Sequence, residues 1–353
     1  MSDRRLQRVL VTGGAGFIGS NFIAYLLEQP DFAGRVVNVD ALTYAGCIES
    51  VVHLAGNERY TFEHVDIRDR TALERVFREH DVDTVVHLAA ESHVDRSIEA
   101  PADFITTNIV GTFQLLETAR EAWRGRSDVL FHHVSTDEVF GSLGPEGRFT
   151  ESSPYDPRSP YSASKASADH LVRAYGHTYG LPVTLSNCSN NYGPFQHPEK
   201  FIPVVILALL EGKPIPVYGD GLNVRDWLHV RDHASALWTV LCGSPVGETW
   251  NVGGNNERTN MEVVHLLCEL VAQRRGTPVE ALRELIRHVP DRPGHDRRYA
   301  IDGSKLAARL GWSPAIGFRE GLEATVDWYL GNAAWIEDIR SGAYRDASRH
   351  GAT

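Results

Sequence analysis

The stretch Thr12-Gly13-Gly14-Ala15-Gly16-Phe17-Ile18-Gly19 connects a short apolar segment, residues 8–11, to a segment with helical spacing, residues 17–27. Glycines at a strand-to-helix turn let the backbone approach a diphosphate, which then lies at the positive N-terminus of the helix. Asp40 ends the next apolar segment, 21 positions after Gly19. The strand, the glycine turn, the helix and the acidic residue together predict a dinucleotide-binding unit.

Apolar segments and segments with helical spacing alternate along the first half of the chain. We predict strands at 8–11, 35–40, 61–65, 84–88, 129–135 and 183–187, and helices at 17–27, 72–79, 108–122 and 161–179. This alternation predicts an α/β fold with a doubly wound parallel sheet of the Rossmann type. Residues 249–252 and the neighbourhood of Trp238 are expected to return to that sheet.

Proline and glycine become frequent after about Asn190. We therefore predict two interleaved domains. Residues 1–190 form mainly the NAD-binding Rossmann domain, with return segments near 225–253, and residues 191–335 form mainly a smaller α/β substrate-binding domain. The polar tail after about Trp335 is expected to fray.

The composition excludes several classes of protein. The 353 residues carry a formal net charge of −11 and no long basic stripe, which argues against nucleic acid as a partner. No apolar run approaches the roughly 20 residues of a membrane span. The four cysteines form no CxxC pair, and the N-terminus does not resemble a signal peptide, so a reduced, cytoplasmic protein is expected. No metal-ligand spacing is present.

The acidic residue after the second strand selects the cofactor. A carboxylate at Asp40 can accept hydrogen bonds from the adenosine ribose hydroxyls and would repel the 2′-phosphate of NADP. No arginine follows in Ala41-Leu42-Thr43. We therefore predict NAD as the cofactor. Asp66 and Ile67, after the third strand, are candidates to frame the adenine, although Asp66 is equally suited to cap a helix.

Tyr161 and Lys165 are four residues apart and lie on one face of a predicted helix. A lysine ammonium near a phenol, next to a positive nicotinamide, stabilises phenolate. The tyrosine can then take a proton from a sugar hydroxyl while hydride leaves the same carbon. With the glycine turn, and with Ser135-Thr136 at the end of a strand, this pattern resembles the extended short-chain dehydrogenase/reductase family.

Two adjacent acids, Asp137 and Glu138, follow the fifth predicted strand, at the sheet edge where ligands bind in such folds. Oxidation of an alcohol or epimerisation has no obvious need for them. Elimination of water needs one group to remove a proton and another to protonate the departing hydroxyl. The pair therefore favours a dehydratase over the main rival, a nucleotide-sugar 4-epimerase.

Thr136-Asp137-Glu138 with Tyr161 and Lys165 resembles the signature of the dTDP-glucose 4,6-dehydratase family. Further blocks that are similar to this family lie at 89–97, 187–194, 197–200, 218–221, 225–227 and 291–296, so the resemblance spans roughly residues 8 to 330. It implies a sugar-nucleotide substrate, a tightly held and recycled NAD, and a homodimer in which helices near 108–122 and 161–179 pair as a four-helix bundle.

The resemblance also implies a role for each residue of the signature. Tyr161 would accept the C4 hydroxyl proton while hydride passes from C4 to NAD, and Lys165 and Thr136 would hold that hydroxyl. Glu138 would remove the C5 proton, and Asp137 would protonate the C6 hydroxyl as it leaves as water. Hydride would return to C6 and a proton to C5, which yields a 4-keto-6-deoxy sugar.

Binding residues follow from the glycine turn and from the resemblance. Arg225 is the best candidate for the diphosphate, since a planar guanidinium can bind two phosphate oxygens. The cofactor set comprises Gly13, Gly16, Phe17, Ile18, Gly19, Asp40, Thr43, Asp66, Ile67, Ala89, Asn108, Tyr161 and Lys165. The substrate set comprises Ser92, Asn190, Glu199, Lys200, Phe201, Pro216, Tyr218, Arg225, Asn260 and His295.

Other interpretations stay open at this point. The protein could instead be a dehydratase of a UDP-sugar, UDP-glucose or UDP-N-acetylglucosamine. The base of a UDP-sugar differs from thymine by one methyl group, and such a group is worth only ~1–3 kcal/mol of discrimination. A cofactor-sensing regulator without catalysis is a non-enzymatic alternative, against which the intact Asp137, Glu138, Tyr161 and Lys165 argue. Cys47 departs from the asparagine expected from the family.

Overall fold

A computed structural model of the protein describes residues 4–291 and 294–342. Its strands are β1 (Arg8–Thr12), β2 (Arg35–Asp40), β3 (Tyr60–His64), β4 (Thr84–His87), β5 (Leu130–Thr136), β6 (Val183–Cys188), β7 (Asn190–Tyr192), β8 (Ile215–Tyr218), β9 (Val224–His229), β10 (Thr249–Val252), β11 (Glu257–Thr259) and β12 (Ile286–Val289). Its helices are α1 (Phe17–Glu28), α2 (Arg70–His80), α3 (Val94–Glu99), α4 (Pro101–Phe104), α5 (Thr112–Ala122), α6 (Pro160–Tyr179), α7 (Phe201–Glu211), α8 (Val230–Gly243), α9 (Asn260–Arg275), α10 (Val279–Arg283), α11 (Ser304–Leu310), α12 (Phe318–Gly331) and α13 (Ala333–Ser341).

The central sheet has the strand order β10-β6-β5-β4-β1-β2-β3, and each neighbouring pair runs parallel. The chain winds outward from β1 in two directions, so the strand order reverses between β1 and β4. Open α/β sheets bind ligands in the crevice beyond the carboxyl ends of the strands at such a reversal. The prediction of a doubly wound parallel sheet is confirmed.

Alternate side chains of the central strands face two helical layers, because successive residues of a strand point to opposite faces. Leu10 of β1 packs in the apolar cluster that includes Leu73 of α2 and Leu115 of α5. Its neighbours Val9 and Val11 pack in a second cluster, with side chains of α1 and α8. Both faces of the sheet are therefore covered, as the continuous apolar character of its strands requires.

A second group of elements packs beside the sheet. Two smaller sheets have the orders β11-β9-β7 and β12-β8. Side chains of α7, α9, α12 and α13 form one apolar cluster there, with residues of β8 and β9. The boundaries of the two domains stay a prediction.

The segment near 225–253 differs from expectation. Residues 249–252 do join the central sheet, where β10 pairs with β6 in the register Thr249 to Leu185. Trp238, however, lies in α8, and its ring meets Phe32 edge-on at 6.2 Å. No strand forms around Trp238, and its neighbourhood returns to the central sheet as helix α8, whose side chains pack with Val9 and Val11 of β1. Its residues follow helical spacing and cover the face of α1 instead.

The end of the described chain is helical, against the expectation of a frayed tail after Trp335. Helix α13 buries Trp335, Ile336 and Ile339 against the second group of elements. Residues 343–353 lie outside the described residues. Three apolar side chains on one face tie this helix down, which a polar composition alone did not indicate.

The helix predicted at 108–122 begins earlier. Helices α4 and α5 are joined by π-helical turns at Ile105–Gly111, so helical backbone runs from Pro101 to Ala122. Such turns often occur at functional sites, and this one contains Asn108. Among the described residues, no helix is both long enough and apolar enough to cross a membrane.

Candidate active site

The glycine turn after β1 forms a tight cradle. Gly13 has φ +71°, and its N–H donates to Val39 O at 2.8 Å. A Cβ on Gly13 would lie 2.8 Å from Ala89 Cα, and a Cβ on Gly19 would lie 2.2 Å from Gly13 O. Gly16 caps α1 without a side-chain hydrogen bond, and the first turn carries no acidic residue. These features fit a diphosphate at the helix N-terminus.

Asp40 lies at the end of β2 and is buried. Its carboxylate accepts hydrogen bonds from Ala15 N at 2.9 Å and from Leu42 N at 2.8 Å. Burial raises its pKa, while these two backbone donors oppose the shift. The side chain thus joins the glycine turn to the loop after β2. Each carboxylate oxygen has a second lone pair, so the arrangement also fits an adenosine ribose hydroxyl.

A cavity of about 910 Å³ opens at the carboxyl edge of the central sheet, and we call it the main cavity. It brings together eighteen of the predicted site residues: Gly13, Gly16, Phe17, Ile18, Gly19, Asp40, Thr43, Asp66, Ile67, Ala89, Ser92, Thr136, Asp137, Glu138, Tyr161, Lys165, Asn190 and Lys200. Residues distant in sequence therefore share one space large enough for a dinucleotide and part of a second ligand. Cys47 is also in the lining, and nothing in the structure explains its departure from asparagine.

Asp66 and Arg68 form a bidentate pair at the far end of the main cavity, with Arg68 Nη2 2.6 Å from Asp66 Oδ2. Burial raises the pKa of Asp66, but the hydrogen bonds and charge of Arg68 bring it below its ordinary value. The carboxylate is therefore charged at neutral pH. Its role toward an adenine stays a prediction.

Asn108 lies just beneath the lining of the main cavity. Its amide nitrogen donates to Ser164 Oγ at 2.8 Å and to Glu91 O at 3.0 Å, and its Oδ1 accepts from Glu91 N at 2.8 Å. Ser164 Oγ in turn donates to Tyr161 O at 2.7 Å. Asn108 thus ties the loop after β4 to the turn of α6 that carries Tyr161. Direct contact with a cofactor stays a prediction.

The acids and the tyrosine meet where β5 ends. Thr136 Oγ1 accepts from Glu138 N at 3.3 Å, which starts the short 3₁₀ turn Asp137–Phe140. Asp137 is 1% exposed, and its Oδ2 has no hydrogen-bond partner among the described residues. Burial, followed by the charges of Glu138 and Asp226, raises the pKa of Asp137 well above its ordinary value. A protonated carboxyl at neutral pH is suited to donate a proton.

Tyr161 and Lys165 project from the first turns of α6, whose N-terminus is fixed by Pro160 and a capping box between Ser159 and Ser162. Lys165 Nζ donates to Val134 O at 2.9 Å. Burial, then the charge of Glu138, raises the pKa of Tyr161 well above its ordinary value. Formation of its phenolate therefore needs nearby positive charge, which Lys165 contributes from the same helix face.

The remaining predicted substrate residues lie outside the lining of the main cavity. They are Glu199, Phe201, Pro216, Tyr218, Arg225, Asn260 and His295. Arg225 is buried, donates to Val224 O at 2.8 Å and to Asp296 O at 2.9 Å, and lies 4.3 Å from the centre of the Tyr299 ring. Its charge opposes the rise in the pKa of Asp137, which places it near the acids. Contact with a diphosphate stays a prediction.

Two other predicted positions make contacts of a different kind. Phe201 stacks on Trp227 at 6.0 Å in the apolar cluster of the second group of elements, so packing accounts for this ring. Glu199 lies 3.7 Å from Arg96 and 3.8 Å from His93, which links the loop after β7 to the loop after β4. Lys200, its neighbour, donates to Ser92 O at 3.1 Å.

Pro216 and Tyr218 lie on one exposed face of β8. The ring of Tyr218 meets His295 edge-on at 6.2 Å, and His295 Nδ1 lies 2.6 Å from Asp291 Oδ1. Asn260 begins α9, and its N–H donates to Asn223 O at 3.0 Å. The structure thus groups Tyr218 with His295, while Arg292 and Pro293 of the same sequence block lie outside the described residues.

Reasoning from the sequence missed several residues of the site. Asp226 is buried, accepts from Gly254 N at 2.8 Å and from Asn256 N at 2.6 Å, and raises the pKa of Asp137. Trp335 and Ile339 of α13 line the main cavity. The sequence signal that could have identified Asp226 is its position next to Arg225, a predicted site residue. No local signal identifies Trp335, because its place in the wall depends on the packing of α13.

Comparisons with known proteins agree with this geometry. A family described as GDP-mannose 4,6 dehydratase matches residues 10–325. A dTDP-glucose 4,6-dehydratase from Xanthomonas campestris pv. campestris (strain B100) is 56% identical, over 98% of this chain and 99% of that relative. The solved dTDP-glucose 4,6-dehydratase of Streptomyces venezuelae with NAD bound is 46% identical with a TM-score of 0.87, over 94% of this chain and 100% of that one.

A UDP-glucose 4-epimerase from Thermus thermophilus, solved with NAD, is also similar, at 34% identity and a TM-score of 0.82, over 92% of this chain and 100% of that one. The shared fold therefore hosts both reactions, and the fold alone does not choose between them. Sequence identity over almost the whole length does, together with Asp137 and Glu138 in the main cavity. The chain belongs to the dTDP-glucose 4,6-dehydratase family.

Proposed function

We propose that this protein is an NAD-dependent lyase that converts dTDP-glucose to dTDP-4-keto-6-deoxyglucose and water. The observation that carries the proposal is the placement of two adjacent acids, Asp137 and Glu138, in one cavity with Tyr161 and Lys165. The tyrosine and lysine serve oxidation at C4. The acids serve elimination, which an epimerase does not perform.

NAD fits the chain's own residues. The glycine turn leaves the N-terminus of α1 open to a diphosphate, and the carboxylate of Asp40, held beside that turn, would accept ribose hydroxyls and repel a 2′-phosphate. Bound NAD would supply the hydride acceptor for oxidation at C4 and the hydride donor for reduction at C6, and would therefore be recycled within each turnover. Since the hydride taken from C4 is the one returned to C6, the reaction does not require exchange of the cofactor, which supports an NAD that stays bound to the protein.

Tyr161 takes the proton of the C4 hydroxyl in the first step, and Thr136 and Lys165 hold that hydroxyl. The 4-keto group then acidifies the hydrogen at C5, which Glu138 removes. Asp137 protonates the C6 hydroxyl, and the C6–O bond breaks to release water. Hydride at C6 and a proton at C5 complete the product, with no net change in oxidation state.

The environment of Asp137 supports its role as the acid. Burial and the charges of Glu138 and Asp226 raise the pKa of Asp137, which favours the protonated form that can give its proton to the C6 hydroxyl. The unpaired Oδ2 atom fits a group that pairs with substrate. Its neighbour Glu138 is half-buried and lines the same cavity, as a base for C5 needs.

The test is to incubate the purified protein, without added NAD, with dTDP-glucose, UDP-glucose or UDP-N-acetylglucosamine, and to follow loss of water by mass spectrometry. Loss that strongly favours dTDP-glucose supports substrate and retained cofactor together. Loss of water from a UDP-sugar instead would assign a different substrate and leave the proposed mechanism unchanged. No loss from any of the three, even with NAD supplied, would contradict the dehydratase proposal.

Variants test the assignment of the acids. Asp137→Asn and Glu138→Gln should each lower dehydration about 10²–10⁴-fold, the usual contribution of a positioned acid or base. Glu146→Gln, on an exposed loop of the same segment, is the matched control and should keep the wild-type rate. Near-normal dehydration by both active-site variants would overturn the roles.

We also propose a homodimer that pairs helices of the α4–α5 segment and α6 with their copies. Apolar side chains on these helices are unusually exposed: Ile105 (44%), Val110 (41%), Phe113 (38%) and Tyr179 (55%). Burial of such a patch against a second copy is favourable. Light scattering should report a dimer, Phe113→Asp should weaken it, and Val246→Asp, at an exposed valine elsewhere, should not. A wild-type monomer at micromolar concentration would remove the proposal.

The cytoplasmic location stays a prediction.

A further inference from the structure

Lys165 is buried to an unusual degree for a lysine that has to carry a charge. It is 4% exposed, and its Nζ donates to Val134 O at 2.9 Å. A carbonyl oxygen carries no net charge, so this hydrogen bond does not neutralise an ammonium. Burial lowers the pKa of Lys165, since it disfavours the charged form. The lysine therefore needs a compensating negative charge.

A carboxylate lies one helical turn further along α6. Asp169 is fully buried, and its Oδ2 accepts hydrogen bonds from Ser135 Oγ and from Tyr155 OH, both at 2.8 Å. Residues four apart share one helix face. Adjacent residues of β5 hold the two side chains, with Val134 bound to Lys165 and Ser135 bound to Asp169. The acid and the lysine are thus fixed against the same strand.

Asp169 is charged in this position. Burial raises its pKa, but His133, Lys165 and Tyr155 together bring it below its ordinary value. His133 Nε2 lies 3.1 Å from Asp169 Oδ1, yet burial lowers the pKa of His133 to about 4, so this imidazole is neutral at neutral pH. The histidine does not neutralise the carboxylate, and Lys165 is the cation left to do so.

The other titratable or charged groups around Lys165 leave this pairing intact. They are Tyr161 and Arg173 on α6, His87 on β4, Asp137 at the end of β5, Cys188 on β6 and Tyr155 before α6. Burial lowers the pKa of His87 and raises the pKa of Cys188 and of the two tyrosines, so these four groups are neutral at neutral pH. Burial also raises the pKa of Asp137, which disfavours its charged form. Arg173 donates to Tyr155 OH at 2.8 Å, so the phenol stands between its guanidinium and Asp169 in this hydrogen-bond chain.

We propose that Asp169 is a positioning residue for the reaction, which holds Lys165 as an ammonium between α6 and β5 so that Tyr161 can act as a base. Asp169 does not itself line the main cavity, although its partner Ser135 does. It acts through Lys165. The role rests on the proposed dehydration, because only a reaction that needs the tyrosine base needs the charged lysine.

A purely structural role for Asp169 makes a different prediction. The carboxylate joins α6 to β5 and to the loop that carries Tyr155, and loss of these hydrogen bonds would lower stability. It would not change the pH at which Lys165 loses its proton. The pH dependence of activity therefore separates the two roles.

The experiment compares the pH profile of dehydration in Asp169→Asn, Asp169→Glu and Tyr155→Phe. Asparagine keeps the shape and the acceptor but removes the charge, so the alkaline limb of kcat should move to lower pH by about one unit or more. Glutamate should restore most of the profile. Tyr155→Phe removes a hydrogen bond to Asp169 but keeps the charge of Asp169, so the alkaline limb of its kcat profile should stay at the wild-type pH. An Asp169→Asn profile equal to that of the wild type, at any thermal stability, would overturn the proposal.

A second measurement follows the protonation of Lys165 directly and needs neither substrate nor the Asp169→Asn variant. The chain has four lysines, Lys165, Lys200, Lys213 and Lys305, so the carbon signals next to each amine can be resolved in protein grown with labelled lysine. Lys165→Arg identifies the signal of Lys165. In the wild type that signal should show an ammonium at neutral pH and titrate only in the alkaline range. A neutral amine at neutral pH would refute the charge pair even if Asp169→Asn fails to fold, and whether or not the dehydration is observed.

Discussion

Acidification should unfold this protein through its buried histidines, and His132 shows how much free energy is involved. Its ring on β5 is fully buried, with Nδ1 2.9 Å from Thr184 Oγ1 and Nε2 3.0 Å from Ser186 Oγ. Burial lowers the pKa of His132 from 6.5 to about 3. Between these two values the unfolded chain binds a proton that the folded chain refuses, so stability falls as the pH falls.

The size of the effect follows from the two pKa values. One such group costs about 2 kcal/mol of unfolding free energy at pH 5 and about 3 kcal/mol at pH 4, relative to neutral pH. His133 and His233 act in the same direction, with pKa values lowered to about 4 and about 3. Asp40 and Asp137 act in the opposite direction, because burial raises their pKa. A comparison between variants isolates the histidine.

The assay is urea denaturation at several pH values from 7 to 5, with wild type, His132→Asn and His177→Asn. The last variant changes a histidine on the exposed side of α6 and serves as the control. The control should lose stability with pH as steeply as the wild type. His132→Asn should start less stable at pH 7, because it loses packing, but should lose about 2 kcal/mol less by pH 5. Equal losses in the wild type and His132→Asn would refute the reasoning.

Three further outcomes concern the cofactor. Gly19→Ala should abolish copurified NAD, measured by chromatography of the denatured protein, because its Cβ would lie 2.2 Å from Gly13 O; NAD at the wild-type level would contradict the tight cradle. Asp40→Asn should raise the ratio of NADP to NAD affinity about tenfold or more in calorimetric titrations, since the repulsive charge is removed, and an unchanged ratio would remove Asp40 from cofactor selection. Trp335→Ala should lower the free energy of unfolding by about 3–5 kcal/mol and speed release of NAD, because the ring lines the main cavity and its Nε1 donates to Ser50 Oγ at 3.2 Å. Trp335→Phe should retain most of the stability. Equal rates of NAD release from Trp335→Ala and the wild type would show that α13 does not hold the cofactor site.

Local patterns predicted the part of the fold that depends on neighbours in sequence. The glycine turn, the strand before it and the helix after it appear where expected, since a turn that only glycine can form leaves a readable signal. The spacing of Tyr161 and Lys165 placed both on one helix face for the same reason. Thr136, Asp137 and Glu138 come directly after an apolar strand, and the carboxyl ends of parallel strands meet at one edge.

Long-range packing decided what the patterns did not reveal. Trp238 lies in helix α8, which packs with α1 over one face of the central sheet and adds no strand to it. Residues 336–341 are helical because apolar side chains on one face of α13 pack against the second group of elements. The amphipathic pattern of so short a segment does not say which surface it will cover.

Sequence by itself determined the fold class, the family, and the five residues that the reaction is proposed to use, since each depends on residue type and short spacing. Tertiary structure alone decided the electrostatic state of those residues. Burial and the neighbours Glu138 and Asp226 raise the pKa of Asp137, and the charge of Asp169 opposes the fall that burial causes in the pKa of Lys165. A pKa depends on the distance to every nearby charge and on exclusion of water, and neither quantity is written in the order of residues along the chain.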